Sequence, residues 1–248
     1  MLNHSYLVAE LTWLEVKTYL AQDYLAVLPI GAACKEHGLH LPLNTDYLQA
    51  EWLAQQSGRF HPVLIWPVLP YGYYPAFSDY PGSCSISEKA FTRTVADILQ
   101  NILAAGANKI LILNTGISTM KPLENVLDGL NQHDQIDLFN AYAGIHFTRA
   151  VNEIEEQPFG GHADEIETSI MLTIAPDKVD MSKAESFEGK LSAGPLNPYD
   201  PDKPNYSPHG VIGNATLATV EKGRRLTDAI LADLAEKLGS DLSQPVRD

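Results

Sequence analysis

The chain has 248 residues, a formal net charge of −14 and 45% hydrophobic residues. That length and apolar content suit one α/β domain with a sizeable core. The acidic balance without a basic run argues against a nucleic-acid partner, and no run of about 18 apolar residues is present to span a bilayer.

The opening residues, MLNHSYLVAELTW, lack the basic start and long apolar core of a signal peptide. Cys34 and Cys84 are too few for a disulfide framework, so a reducing, cytoplasmic setting is expected. Residues 10–21 carry an imperfect helical stripe, with Thr12 and Glu15 at capping-box spacing. Residues 24–30 read as a buried strand. That strand releases GAACKEHGLHLPLNTD, which holds Lys35, Glu36, His37, His40 and Asp46, five ionisable groups within twelve residues. A strand end in an open α/β sheet is where such folds place their chemistry. His, Glu and Asp are also the ligand types of zinc and manganese. The bland reading of the same stretch is a polar loop with surface histidines. Cys34 reads either as a nucleophile beside the site or, more commonly for cysteine, as a small buried hydrophobe.

Residues 46–57 read as a helix with Asp46 at its N-cap, a role compatible with ligation because a carboxylate has two oxygens. Residues 62–69 form a second apolar run. The loop after it, PYGYYPAFSDYPGSCSIS, carries Tyr71, Tyr73, Tyr74, Phe77 and Tyr80. These rings either wall a pocket for a flat small molecule or bury against a neighbouring subunit. Ser87 and Glu88 open a helix over 88–105, closed by Gly106, and 109–113 reads as a strand. The turn NTGIST follows, then a helix over 121–132 and a strand over 136–142. This alternation predicts a three-layer α/β sandwich, a mostly parallel sheet with helices on both faces.

The second chemical stretch is QPFGGHADEIETSIMLTI, with His162, Asp164 and Glu167. Asp164 and Glu167 are also spaced as a capping box, so Glu167 reads as a ligand or as a helix cap. Residues 178–209 are rich in Pro, Asn and Asp and read as an ordered excursion or lid within a single domain, 1–248. A last helix over 219–238 has Leu226, Ile230, Leu231, Leu234 and Leu238 at helical spacing.

The stretch EHGLHLPLNTD resembles the signature GSxEQHGPHLPLGTD of the creatininase family, metal-dependent amidohydrolases that open C–N amide bonds. GGHADEIETS resembles that family's GGHAGxxETS block, and the aromatic loop and GVIGNATLA resemble further segments, so the likeness runs over nearly the whole chain. The resemblance implies a creatininase-like fold, a small amide or cyclic amide as substrate, a divalent zinc or manganese ion, and a homo-oligomer, a hexamer in the family. By resemblance, His37, Asp46 and Glu167 fall on metal-ligand positions and His162 on a proton-transfer position. His40, Tyr73, Tyr74 and Ser118 are expected at the substrate.

Two family ligands are replaced. Lys35 stands where the family has glutamate, and Gly116 where it has histidine. In extended chain, residues two apart share a face, so Lys35 faces the site with His37, and its ammonium substitutes for one ion's charge. The alternative is a bulge, since the run from Gly31 is one residue longer than in the family. A bulge would re-aim Glu36 into the missing ligand role and send Lys35 away. Together these features predict one ion rather than two. A degenerate protein, binding a small molecule or using Lys35 and His162 without metal, is the alternative.

Overall fold

Five strands, β1 (Ser5–Leu7), β2 (Leu25–Ile30), β3 (Val63–Ile65), β4 (Ile110–Asn114) and β5 (Ile136–Asn140), pair in parallel in the order β1-β3-β2-β4-β5. They belong to a computed structural model that describes residues 5–130, 133–187, 189, 191–192 and 194–239. The helices are α1 (Trp13–Leu20), α2 (Thr45–Ser57), α3 (Glu88–Ala104), α4 (Met120–Asp128), α5 (Ile145–Ile154), α6 (Glu165–Ile174) and α7 (Val220–Lys237).

Every residue of β2 and β4 is buried, which is why both read as unbroken apolar runs. Successive side chains point to opposite faces, so each strand feeds two cores. Val27, Leu111 and Leu113 pack with Leu53, Phe147, Ile170 and Leu234, from α2, α5, α6 and α7. Leu28, Leu64 and Ile112 pack with Leu20, Phe91, Leu99 and Leu123, from α1, α3 and α4. The result is the expected three-layer α/β sandwich. None of the described helices is long and apolar enough to cross a membrane.

The connections decide where a site can form. From β2 the chain runs through α2 to β3 on one side. From β4 it runs through α4 to β5 on the other side, across the opposite face of the sheet. The two outgoing chains diverge from adjacent strands, which opens a crevice at their carboxyl ends.

Local signals set most element ends. Thr12 and Glu15 form the expected capping box of α1, and the Ser87 hydroxyl accepts the Ala90 N–H at 3.2 Å. Gly106, at φ 104°, follows α3 in the left-handed conformation that glycine allows. Asn44, not Asp46, is the cap position of α2, and it makes no side-chain cap bond. Asp46 sits in the first turn, which frees its carboxylate for the site. Helix α5 is absent from the sequence reading, because no local residue caps it. Asp233 of α7 does so instead, accepting the His146 and Phe147 N–H groups at 2.9 Å each. Among the described residues of 178–209 a short 3-10 turn forms at Met181–Lys183, and Leu196 packs with Tyr74, Phe77 and Tyr80. Residues 188, 190 and 193 of that excursion, and 131–132 after α4, lie outside the described residues.

Candidate active site

The chain leaves β2 through Gly31, whose missing side chain is what lets α2 approach. A Cβ there would strike the Asp46 backbone carbonyl and lie 2.9 Å from the Ala50 Cβ. This contact sets the first turn of α2 against the strand end. The Thr115 hydroxyl, at the end of β4, ties the same turn by donating to the Asp46 carbonyl at 2.8 Å. Asp46 is thereby held between the ends of the two diverging strands.

Lys35 turns inward. Its ammonium lies 2.7 Å from Asp46 Oδ2, and both side chains are more than nine-tenths buried. It also stands 5.2 Å from the centre of the Phe77 ring, within cation–π range. Burial acts to lower the Lys35 pKa, but the Asp46 and Glu167 carboxylates outweigh it and hold it raised. The Asp46 carboxyl is the mirror case. Burial acts to raise its pKa, and Lys35 and His37 pull it well below the usual carboxylate range.

His37 is fully buried between these groups. Its Nδ1 lies 2.8 Å from the Lys35 carbonyl oxygen, an acceptor only, so Nδ1 carries the proton of that bond. Nε2 then faces Asp46 Oδ1 at 2.9 Å and Glu167 Oε1 at 3.6 Å. A bare lone pair facing two carboxylates is repulsive. Two species relieve it: an imidazolium with a second proton, or an imidazole sharing a cation with the carboxylates. Burial and Lys35 act to lower the His37 pKa, yet Asp46 and Glu167 leave it raised, as the first species requires.

Helix α6 supplies the opposite wall. Asp164 is its N-cap, accepting the Ile166 and Glu167 N–H groups at 3.0 and 3.1 Å. Glu167 does not close a capping box. Its Oε2 accepts the Ala163 N–H at 2.8 Å, and Ala163 holds an uncommon positive φ of 47° to present it. Glu167 Oε1 accepts from the Gln49 amide at 3.4 Å, and the Tyr142 hydroxyl donates to the other end of that amide. Burial acts to raise the Glu167 pKa, and His37 and Lys35 bring it below its ordinary value.

Glu36 faces away from Lys35 and meets His162. The His162 Nε2–H points at the Glu36 carbonyl oxygen (2.8 Å) and at Oε2 (3.0 Å), and Oε1 accepts the Gly38 N–H. Gly210, at φ 75°, leaves the space; a Cβ on it would overlap the Glu36 carboxylate. The other ring nitrogen of His162, Nδ1, lies 3.8 Å from Glu167 Oε2.

A cleft of about 450 Å³ opens over this cluster, lined among others by Lys35, Asp46, Phe77, Ser118, His162 and Glu167. His37, His162 and Glu167 each offer a ligand atom within 4.8 Å of the others, as one cation would require. Of the residues expected at the substrate, Ser118 lines the cleft. Tyr74 is buried beside it, its hydroxyl donating to the Cys34 and Cys84 carbonyls at 3.0 and 2.7 Å. Tyr73 packs on the α3 core, and His40 binds the Thr168 hydroxyl at 2.7 Å. Burial lowers the His40 pKa to about 4, so it stays neutral at ordinary pH. Gln49 and Tyr142 escaped the sequence reading. The available signal was a glutamine three residues after Asp46, on the buried face of α2 with Ala50, Leu53 and Ala54.

A sequence model of the Creatininase family, described as creatinine amidohydrolase, matches residues 9–238. The chain belongs to the creatininase family. It is 25% identical to the creatinine amidohydrolase of Pseudomonas putida over 258 residues, covering 96% of this chain and 97% of that one. It is 27% identical to the 3-dehydro-scyllo-inosose hydrolase of Thermotoga maritima over 270 residues, covering 94% and 82%. It is also 27% identical to a mycofactocin precursor peptide peptidase of Mycobacterium tuberculosis over 234 residues, covering 88% and 86%. A solved creatininase described as its Mn form shares the fold, with a TM-score of 0.79 at 24% identity over 94% of this chain and 97% of that chain. A mutant creatininase described as Zn-Zn type has a TM-score of 0.75, at 24% identity over 94% and 96%. The chain is therefore similar over most of its length to relatives whose names give different substrates.

Proposed function

We propose that this creatininase-family protein is an amidohydrolase that works with one divalent ion, zinc or manganese, and uses the Lys35 ammonium in place of a second. The observation that carries this reading is the charge balance of the buried cluster. Three carboxylates, Glu36, Asp46 and Glu167, meet one ammonium, Lys35, while the nearby Asp164 carboxylate is taken up by Gln157 and by the N–H groups of Gly161, Ile166 and Glu167. The remaining two negative charges equal one divalent ion, and a second ion would leave an uncompensated excess inside the protein. The donors converge on His37: Glu167 shares a cation-sized group with it and His162, and Asp46 Oδ1 lies 2.9 Å from its Nε2. His37 Nε2 lacks an acceptable neighbour unless it is protonated or shares a cation, and Asp46 and Glu167 lie beside it.

In this reading His37, Asp46 and Glu167 hold the ion, which when bound polarises the amide carbonyl and lowers the pKa of water. Glu36 serves His162 rather than the ion. His162 Nδ1 takes a proton from the attacking water and delivers it to the departing nitrogen as the C–N bond breaks. The Lys35 ammonium, fixed by Asp46, faces the cleft where negative charge grows on the carbonyl oxygen. Ser118 lines the cleft at the end of β4. The substrate is a small amide, in line with creatinine for one relative and a precursor peptide for another. A homo-oligomer in the cytoplasm is part of the same proposal.

The test is elemental analysis after dialysis against Zn²⁺ or Mn²⁺, with hydrolysis of creatinine, other cyclic amides and short peptides followed by release of amine. One ion per chain with metal-dependent amine release is expected. Two ions would assign Glu36 to the second. No ion would favour the metal-free alternative, a small-molecule binder or a Lys35/His162 enzyme.

A further inference from the structure

Gln49 is buried between a phenol and a carboxylate, with 3% of its surface exposed. It follows Asp46 by three residues in α2, so the two share a helix face and reach the same site one turn apart. Its amide has a donor end and an acceptor end, and rotation exchanges them. Glu167 Oε1 has no proton to give, so only the NH2 end of Gln49 can face it productively. That leaves Gln49 Oε1 pointing at Tyr142, which donates its hydroxyl there. Burial, and then the Glu167 and Asp46 charges, push the Tyr142 pKa well up, so the hydroxyl keeps its proton.

We infer that Tyr142 is a positioning residue: its hydroxyl fixes the Gln49 amide, and the amide holds Glu167 Oε1 toward His37. The same oxygen accepts the Gln49 bond at 3.4 Å and stands 3.6 Å from His37 Nε2. The Ala163 N–H restrains only the other oxygen, Oε2. Without the phenol the Gln49 oxygen is left buried without a donor, and the side chain loses the anchor that keeps its NH2 end on Glu167 Oε1. A buried acceptor without a donor is costly enough to draw the side chain toward another partner and away from that oxygen. Tyr142 also lines the cleft, so an effect through Gln49 must be separated from direct contact with a substrate.

A double-mutant cycle separates them. Wild type, Tyr142→Phe, Gln49→Leu and the double variant are titrated with Zn²⁺ and Mn²⁺ by calorimetry, and their thermal midpoints are measured without metal. This ion-affinity arm rests on the one-ion reading; the thermal arm does not. Tyr142→Phe is expected to weaken ion affinity about tenfold, the lower end for a group that orients a ligand. In the Gln49→Leu background the same change is expected to alter affinity less than about twofold. Equal losses in both backgrounds, or no loss in Tyr142→Phe, would overturn the inference. If wild type binds no ion, the one-ion reading fails and the thermal midpoints decide. Non-additive shifts then support the Tyr142–Gln49–Glu167 chain, and additive shifts refute it.

Discussion

Removing the Lys35 ammonium tests the charge balance most directly. Lys35→Met keeps most of the side-chain volume and deletes the partner 2.7 Å from Asp46. Breaking a buried pair from one side costs about 3–5 kcal/mol, because it strands the other charge. Asp46 keeps His37 at 2.9 Å, so the lower end applies, about 3 kcal/mol. For a chain of this size that is about 6–12 °C in the thermal midpoint. The pH dependence carries the sign. In wild type the Asp46 pKa is depressed, so its contribution is full above the ordinary carboxylate range and is lost as pH falls through the depressed value. In the variant, burial acts without the ammonium and raises that pKa, so the penalty is largest at neutral pH. Urea unfolding and thermal melts without metal, at pH 7.5 and pH 5, read both effects. A variant that melts within about 2 °C of wild type at pH 7.5, with the same gap at pH 5, would show that the ammonium does not balance the cluster.

His162→Ala should keep the ion, by elemental analysis, while turnover falls by about 10²–10⁴. Loss of the ion would make His162 a ligand. The His37 pKa is raised in the metal-free protein, so that stabilisation is present below the ordinary imidazole value and is lost as pH rises through the raised one. Ion binding removes the same proton, so calorimetric affinity should tighten with pH across that window, with proton release. Gly210→Ala should cost at least about 2 kcal/mol in urea unfolding, since its φ of 75° and the Glu36 carboxylate both oppose a Cβ. Lys35→Glu should melt lower than wild type without metal and respond more steeply to added Mn²⁺; an unchanged metal response would count against Lys35 as the ion's substitute.

The sheet was legible because its central strands are buried on both faces and announce themselves as apolar runs. The same held for α1 and α3, which carry their own caps. Helix α5 was hidden because its cap, Asp233, lies 87 residues downstream of His146, and a local window cannot contain it. In the site, Lys35, His37, Asp46, His162 and Glu167 stood out by chemistry and spacing. The sequence left open whether Lys35 or Glu36 turns toward His37. That choice depends on Gly210 and Ser83, which receive the Glu36 carboxylate and backbone N–H from elsewhere in the chain. Tyr73 and His40 drew notice as chemical residue types, but their surroundings are packing and a single hydrogen bond to Thr168. Gln49 and Tyr142 meet across 93 residues of chain, so no local window contains their contact.

The two departures from the family pattern, Lys35 and Gly116, line the same small recess. The turn that carries Gly116 is tied by Asn114, which accepts the Thr119 hydroxyl at 2.7 Å and donates to the Gly116 carbonyl at 2.8 Å. A Cβ at Gly116 would stand 2.8 Å from that Thr119 oxygen, so a side chain there would require the Thr119 hydroxyl to shift. Under the one-ion proposal, a carboxylate at position 35 would face Asp46 without an ammonium, and Gly116 would offer no side-chain donor to a second ion. The two substitutions fit together under that proposal: Lys35 supplies positive charge beside Asp46, and Gly116 has no side chain to ligate a second ion.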